Sequence, residues 1–170
     1  MSLLEVLGRA RAIDVRPIRC ADRDFLMALY ASTRSEEMAA TGWPVQTRQA
    51  FLAQQFECQH RYYQQEFVGA EFLLLLKQGR PIGRLYWQAG SGQGRLIDIA
   101  ILPRWRGQGL GTSLLDLLVR HADAHGLCVE LQVVPGNPAQ RWYRRHGFEP
   151  HGDDGFHVQM LRPTSQLVCA

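Results

Sequence analysis

Cysteine is sparse in this chain, and no two cysteines stand close together. Cys20, Cys58, Cys128 and Cys169 form no C-x-x-C pair among the 170 residues. That spacing supplies neither a disulfide framework nor a zinc pattern. It fits reduced thiols and a cytoplasmic protein. No apolar run approaches the ~18 residues that span a bilayer, and Phe72–Leu76 has only the length of a strand. No membrane partner is expected. Residues 1–12 lack the layout of a signal peptide. Lysine is nearly absent, with Lys77 alone among 19 basic residues. The basic set is therefore arginine, which suits bidentate phosphate contacts. A GC-rich coding sequence gives the same bias. The surplus of 19 basic over 16 acidic residues, a net charge of +3, suits an anionic ligand without pointing to nucleic acid.

What remains is an ordinary globular composition, 46% apolar and 21% charged. A chain of this length buries roughly 70% of its unfolded surface and needs no disulfide or metal to hold a core. We expect one domain over 1–170, with its core at about 14–162 and looser ends beyond.

Periodicity orders the elements. Asp14–Arg19 reads as a strand, and Asp22 as the N-cap of a helix carrying Phe25, Leu26, Leu29 and Tyr30. Ser35–Pro44 breaks that pattern. Thr47 is placed to cap a second helix reaching Glu66. Ala70–Lys77, Pro81–Gln88 and Leu96–Leu102 read as an antiparallel meander, with Gln78–Arg80 and Gly90–Gly94 as its turns. Leu110, Leu114, Leu117, Leu118 and His121 share one helix face, which Gly126 closes. Leu127–Val134 follows as a strand parallel to Leu96–Leu102. Asn137 caps a helix that opens at Pro138. Phe148–His151 and Phe156–Arg162 form a final hairpin. The order β-α-α-β-β-β-α-β-α-β-β predicts an α/β (α+β) fold, a mixed sheet with helices on both faces.

The informative stretch is Arg106-Gly107-Gln108-Gly109-Leu110-Gly111-Thr112, between a strand and a helix. Glycines there let a ligand approach the backbone. The free N–H groups of the helix's first turn and its dipole favour an anion such as a pyrophosphate. No lysine follows, so this is not a phosphate-binding NTPase loop. Thr112 replaces the third glycine of a dinucleotide fingerprint. A plain strand-to-helix turn is the other reading of these residues.

Arg106–Gly111 resembles the R-x-x-G-x-G acetyl-CoA signature of the GNAT N-acetyltransferases. A later stretch resembles that family's second motif: Asn137-Pro138-Ala139-Gln140-Arg141-Trp142-Tyr143, followed by Gly147-Phe148. Its alanine stands one place earlier than in many members. The likeness runs from about Val15 to Arg162. It implies an acetyl-CoA-dependent N-acetyltransferase, with acetyl-CoA as co-substrate and no metal. It also implies a splayed pair of parallel strands. Backbone groups of Ile99, Ala100 and Ile101 would hold the pantetheine arm, and an N–H near Ile101 would polarise the thioester carbonyl. The N–H groups of Arg106, Gly107, Gln108, Gly109, Leu110, Gly111 and Thr112 would hold the pyrophosphate, with Asn137 a further contact. Tyr143 takes the place of the family's general acid; as residues alone it reads equally as a core tyrosine.

The base is read from the residues. Asp98 lies in an apolar strand, where a carboxylate needs either a partner or a function. It is therefore a general base or a hydrogen-bond anchor. Gln132 stands where some members carry a glutamate, and Glu130 is a weak substitute. Glu36, Glu37 and Trp43, in the early loop, are expected substrate contacts. Arg141, Arg144 and Arg145 reach the CoA 3′-phosphate or form a solvated basic face. His121 and His125 lack the H-E-x-x-H arrangement of a metal site. The expected acceptor is an amine of a small molecule or amino-acid derivative. The alternatives are a protein N-terminus or lysine, or an acyl-CoA-binding module without catalysis. The resemblance also makes a homodimer an expected assembly.

Overall fold

The computed structural model describes residues 2–8 and 13–164. The tail from Ser165 on, with Cys169, lies outside the described residues. In chain order the elements are α1 (Leu3–Leu7), β1 (Asp14–Pro17), α2 (Arg23–Thr33), α3 (Ser35–Ala40) and α4 (Val45–Glu66). They continue with β2 (Glu71–Lys77), β3 (Arg80–Ala89), β4 (Gln93–Ile101), α5 (Leu110–Ala124), β5 (Cys128–Val133), α6 (Ala139–Arg144), β6 (Glu149–Asp153) and β7 (Val158–Arg162). The strands form one seven-stranded sheet in the order β1-β2-β3-β4-β5-β7-β6. Every neighbouring pair is antiparallel except β4 and β5, which run parallel across the α5 crossover.

The unbroken apolar run in β2 reflects burial on both faces, since alternate side chains leave a strand on opposite sides. Leu73 and Leu75 join the larger core under α1 and α5, with Leu85, Trp87, Leu96, Leu114 and Leu118. Leu74 joins Leu26, Tyr30 and Phe56 under α2 and α4. The apolar stripe of α5 predicted from the sequence is the stripe that packs, and Gly126 takes the positive φ of 65° just past its end.

Several local expectations are corrected. Ser35–Ala40, read as a break, forms the short helix α3, which buries Met38 while its polar residues face solvent. Helix α4 starts at Val45 after Pro44, so Thr47 lies inside it and caps nothing. Asp22 occupies the N-cap position of α2 but makes no capping bond. Its carboxylate accepts two 2.7 Å bonds from Arg16 and a third from the Arg19 N–H. Helix α1 is not among the elements expected from the sequence. Its first N–H groups, of Leu3 and Leu4, donate to the Glu71 carboxylate.

One irregularity matters for the site. Trp87 pairs with Leu96 and Tyr86 with Asp98, leaving Ile97 as an extra residue in β4. Such a bulge shifts the side-chain alternation by one. Leu96 therefore packs in the α5-side core, while Asp98 points to the α2/α4 side.

Candidate active site

Strands β4 and β5 part early. Their parallel pairing runs from Gln93↔Cys128 to Leu96↔Leu131 and stops there. Beyond it β4 stays paired to β3 as far as Ile101, and β5 stays paired to β7 as far as Val133. The Leu102 N–H donates to the Ile82 carbonyl at 2.8 Å, on the β3 side. Alternation along a strand then turns the backbone groups of Ile99 and Ile101 toward the gap. The Ile101 carbonyl accepts from Arg106 Nε at 2.7 Å, which leaves the two N–H groups and the Ile99 carbonyl facing the opening.

The glycine turn closes one end of this gap. Gly107 and Gly109 have φ values of 72° and 74°, a region costly for residues with a Cβ. A Cβ at either would meet nothing within 4 Å, so the requirement comes from the backbone and not from crowding. Gly109 is the N-cap of α5 and supplies no side-chain cap. The first helical bond runs from the Ser113 N–H to the Gly109 carbonyl at 3.0 Å. The N–H groups of Leu110, Gly111 and Thr112 thus have no partner within the helix and project from its positive end.

A cavity of about 580 Å³ fills the space between the strand and the turn. Its lining includes Ile99, Ala100, Ile101, Arg106, Gly107, Gly109, Leu110, Gly111 and Thr112, which the sequence singled out. Gln108 and Asn137 are not part of this lining. The exposed Gln108 side chain turns back to the Arg104 carbonyl at 3.2 Å, leaving only its backbone to serve a ligand. Helix α6 opens at Ala139 with Pro138 in the N-cap position, one residue later than expected, and Asn137, two residues before the helix, accepts through Oδ1 from the Ala139 N–H at 2.9 Å. Trp105, Pro138, Ala139 and Trp142 join the lining without a place in it predicted from the sequence, and of the three arginines offered for the CoA 3′-phosphate Arg145 reaches this lining. Trp142 donates through Nε1 to Thr112 Oγ1 at 3.2 Å, tying α6 to the first turn of α5.

A second cavity, about 320 Å³, adjoins the first through Ile99, Ala100 and Ala139. Asp98, Tyr143, Asn137 and Gln132 line it, with Arg84, Gln59, Tyr63 and Arg34. Asp98 has the partner that a carboxylate in an apolar strand requires. Arg84, buried to 4% exposure, donates through Nη2 to Asp98 Oδ2 at 2.5 Å and to Gln59 Oε1 at 3.0 Å. Asp98 Oδ1 accepts no hydrogen bond from the described residues. The pairing of buried Arg84 with Asp98 compensates both charges, where either alone would be costly. Tyr143 is buried against Phe148, ring centroids 5.7 Å apart. Burial first, and the Asp98 charge second, push its phenol well above the ordinary tyrosine range. It therefore stays protonated at neutral pH. Burial likewise raises the Tyr63 phenol.

The structure does not bring every candidate here. Glu36, Glu37 and Trp43 line neither cavity. Glu36 and Glu37 are exposed on α3, where Glu37 pairs with Arg34 at 3.1 Å. Trp43, 42% exposed, packs edge-on against Phe51. Glu130 is held by Arg95 and Gln93. Arg141 and Arg144 lie outside the first cavity lining that Arg145 joins. His121 is buried beside Trp87 and His125. Among the described residues no cluster of three or more metal-ligating side chains forms, and no helix is long and apolar enough to cross a membrane.

Comparison with known proteins agrees with this geometry. Residues 32–148 match the Acetyltransferase (GNAT) family. A Bacillus subtilis (strain 168) protein, named as a ribosomal protein bS18-alanine N-acetyltransferase, is 33% identical over 86 residues, 49% of this chain and 56% of that protein. Mycothiol acetyltransferase of Thermobifida fusca (strain YX) is 43% identical over 54 residues, 31% of this chain and 17% of that protein. The chain thus spans little more than half the length of one of these curated relatives and a smaller part of the other. Among solved structures, the PaiA N-acetyltransferase of Thermoplasma acidophilum in complex with coenzyme A shares the fold. Its TM-score is 0.67 at 16% identity, over 89% of this chain and 99% of that one.

Proposed function

The chain belongs to the GNAT acetyltransferase family, and on that footing we propose that it transfers acetyl from acetyl-CoA to a primary amine of a small molecule or amino-acid derivative, by direct attack within a ternary complex. The observation that carries this reading is the end of β4·β5 pairing at Leu96↔Leu131. It leaves strand backbone unpaired beside a helix N-terminus, in one cavity. Amide-bearing pantetheine suits the first and a pyrophosphate suits the second.

In this reading Ile99 and the turn from Arg106 to Thr112 bind the cofactor's arm and diphosphate, and the Ile101 N–H polarises the thioester carbonyl. An amine of ordinary pKa, about 10, must lose a proton before it attacks. Asp98 Oδ1, facing the acceptor cavity, takes that proton directly or through a water. The amine nitrogen bonds to the carbonyl carbon, the C–S bond breaks, and the Tyr143 hydroxyl protonates the departing thiolate. As the C–S bond breaks the acylated nitrogen gives up its second proton, which passes through water to restore Tyr143, and the proton on Asp98 is released to solvent, leaving an amide, free CoA and one proton overall. Asn137 positions α6 and with it Tyr143.

A peptide N-terminus is the second reading, favoured by the alanine N-acetyltransferase activity for which the Bacillus subtilis relative is named. Thiol release from acetyl-CoA, followed with panels of small amines and of short peptides, tests both. Amine-dependent release supports acetyl transfer. Acetyl-CoA binding without release by any amine would leave only an acyl-CoA-binding module.

A further inference from the structure

The charges around the second cavity narrow the acceptor. Three side chains of fixed charge line it: Arg34, Arg84 and Asp98. Arg84 and Asp98 are bound to each other, so the charge left over among the lining residues is that of Arg34, whose exposed partner Glu37 lies outside the lining. An amine acceptor is itself a cation before it reacts. A polyamine or a lysine side chain would bring its charge to a cavity whose one carboxylate is already matched by a guanidinium. Such an acceptor gains nothing from Arg34 and is repelled by it.

Arg34 is well placed for the opposite kind of ligand. It caps the C-terminal end of α2, and its guanidinium carbon lies 5.2 Å from the centroid of the buried Tyr30 ring. Stacking on that ring restricts the side chain without using its donors. Of its three nitrogens only Nη1 is engaged, by Glu37 at 3.1 Å in a pair whose carboxylate side chain is 62% exposed. Exposed i,i+3 pairs are weak, so a ligand carboxylate in the cavity competes readily. Nε and Nη2 have no partner among the described residues and can meet a carboxylate side by side.

We propose that the acceptor is a free α-amino acid whose carboxylate docks on Arg34 while its amine faces Asp98 and the opening to the first cavity. This rests on the acetyl-transfer reading and adds to it the acceptor's second functional group. A volume of about 320 Å³ suits a molecule of this size. The walls Ile97, Leu131 and Val133 suit an apolar or small side chain. Peptide N-termini, which carry no α-carboxylate, are disfavoured by the same feature.

The test measures thiol release with the twenty standard L-amino acids, each beside its amide, and with spermidine as a polycation. Acetyl-CoA affinity is measured in parallel by calorimetry on the wild type and on Arg34→Gln. At least one amino acid should exceed its amide by about tenfold or more in kcat/KM, with spermidine below both. Arg34→Gln should bring that ratio close to one, through KM, while acetyl-CoA affinity and the circular dichroism spectrum stay unchanged. Comparing the ratio between the two proteins cancels the different basicities of acid and amide. The inference is overturned if amides or spermidine serve as well as the amino acids, or if Arg34→Gln keeps the preference. It is equally overturned if no amino acid is acetylated by protein that binds acetyl-CoA. If the folded wild type binds no acetyl-CoA, the acetyl-transfer reading itself fails and takes this inference with it.

Discussion

Leu96 and Leu131 form the last rung between β4 and β5, and one residue later a bulge at Ile97 redirects the chain. The two irregularities act together. The bulge keeps Leu96 in the core and puts Asp98 on the opposite face, and the parted strands leave Ile99 and Ile101 without a strand partner on that side. A strand continuing in register would have closed the gap with its own hydrogen bonds.

Gly109→Val should abolish or weaken acetyl-CoA binding by well over tenfold while the protein stays folded. Valine at a φ of 74° carries strain of about 1–3 kcal/mol, and its side chain stands where the diphosphate approaches. Calorimetry with circular dichroism on the same sample checks this. Unchanged affinity in folded variant would remove the turn from the binding site.

Tyr143→Phe should lower kcat by about 10²-fold or more, the usual size of a lost acid, with acetyl-CoA affinity near that of the wild type. The ring is retained, so its packing on Phe148 is kept. A normal kcat would leave Tyr143 as a core residue.

Asp98 separates structure from chemistry through two substitutions. Asp98→Ala leaves the buried Arg84 uncompensated and should cost about 3 kcal/mol of stability in denaturant titrations. Adding Arg84→Met should restore part of that loss. Asp98→Asn keeps an oxygen for Arg84, and kcat should still fall by about 10²-fold if Asp98 takes the amine's proton. Full activity in Asp98→Asn would make the residue an anchor only.

Asp22 gives a pH dependence of stability. Hydrogen bonding from Arg16, its largest influence, holds the carboxyl below the ordinary carboxylate range. A depressed folded-state pKa contributes stability above the unfolded value of about 3.9 and loses it as pH falls through the folded value. Asp22→Asn should therefore cost about 2 kcal/mol at pH 7, and the difference from wild type should shrink as the pH drops below 4. A penalty that does not change with pH would contradict the ion-pair assignment.

Much of the fold could be read from periodicity, because α5 and the meander strands carry one strong pattern each. The Arg106–Thr112 turn stood out because its glycines serve a backbone conformation that other residues avoid. Helix α3 escaped because Ser35-Glu36-Glu37 puts polar residues where an apolar stripe would be sought, and only Met38 is buried. The Arg84–Asp98 pair was half visible: Asp98 demanded a partner, but the partner lies across a hairpin, at a register set by an unforeseeable bulge. Trp142 reaches the first cavity through its contact from α6 to the first turn of α5, and Trp105 through the turn that follows β4, placements that no local pattern encodes. Glu36, Glu37 and Trp43 were placed by resemblance to an early loop. In this chain α3 and the turn into α4 take that place, and none of the three residues lines either cavity.

The most direct test is a calorimetric titration of the wild-type protein with acetyl-CoA and, separately, with free CoA. A cleft built from unpaired strand backbone and a helix N-terminus should give saturable, one-to-one binding of both ligands in the micromolar range. A folded protein that gives no heat with either ligand would contradict acetyl transfer and reduce the Arg106–Gly111 turn to a connection between β4 and α5.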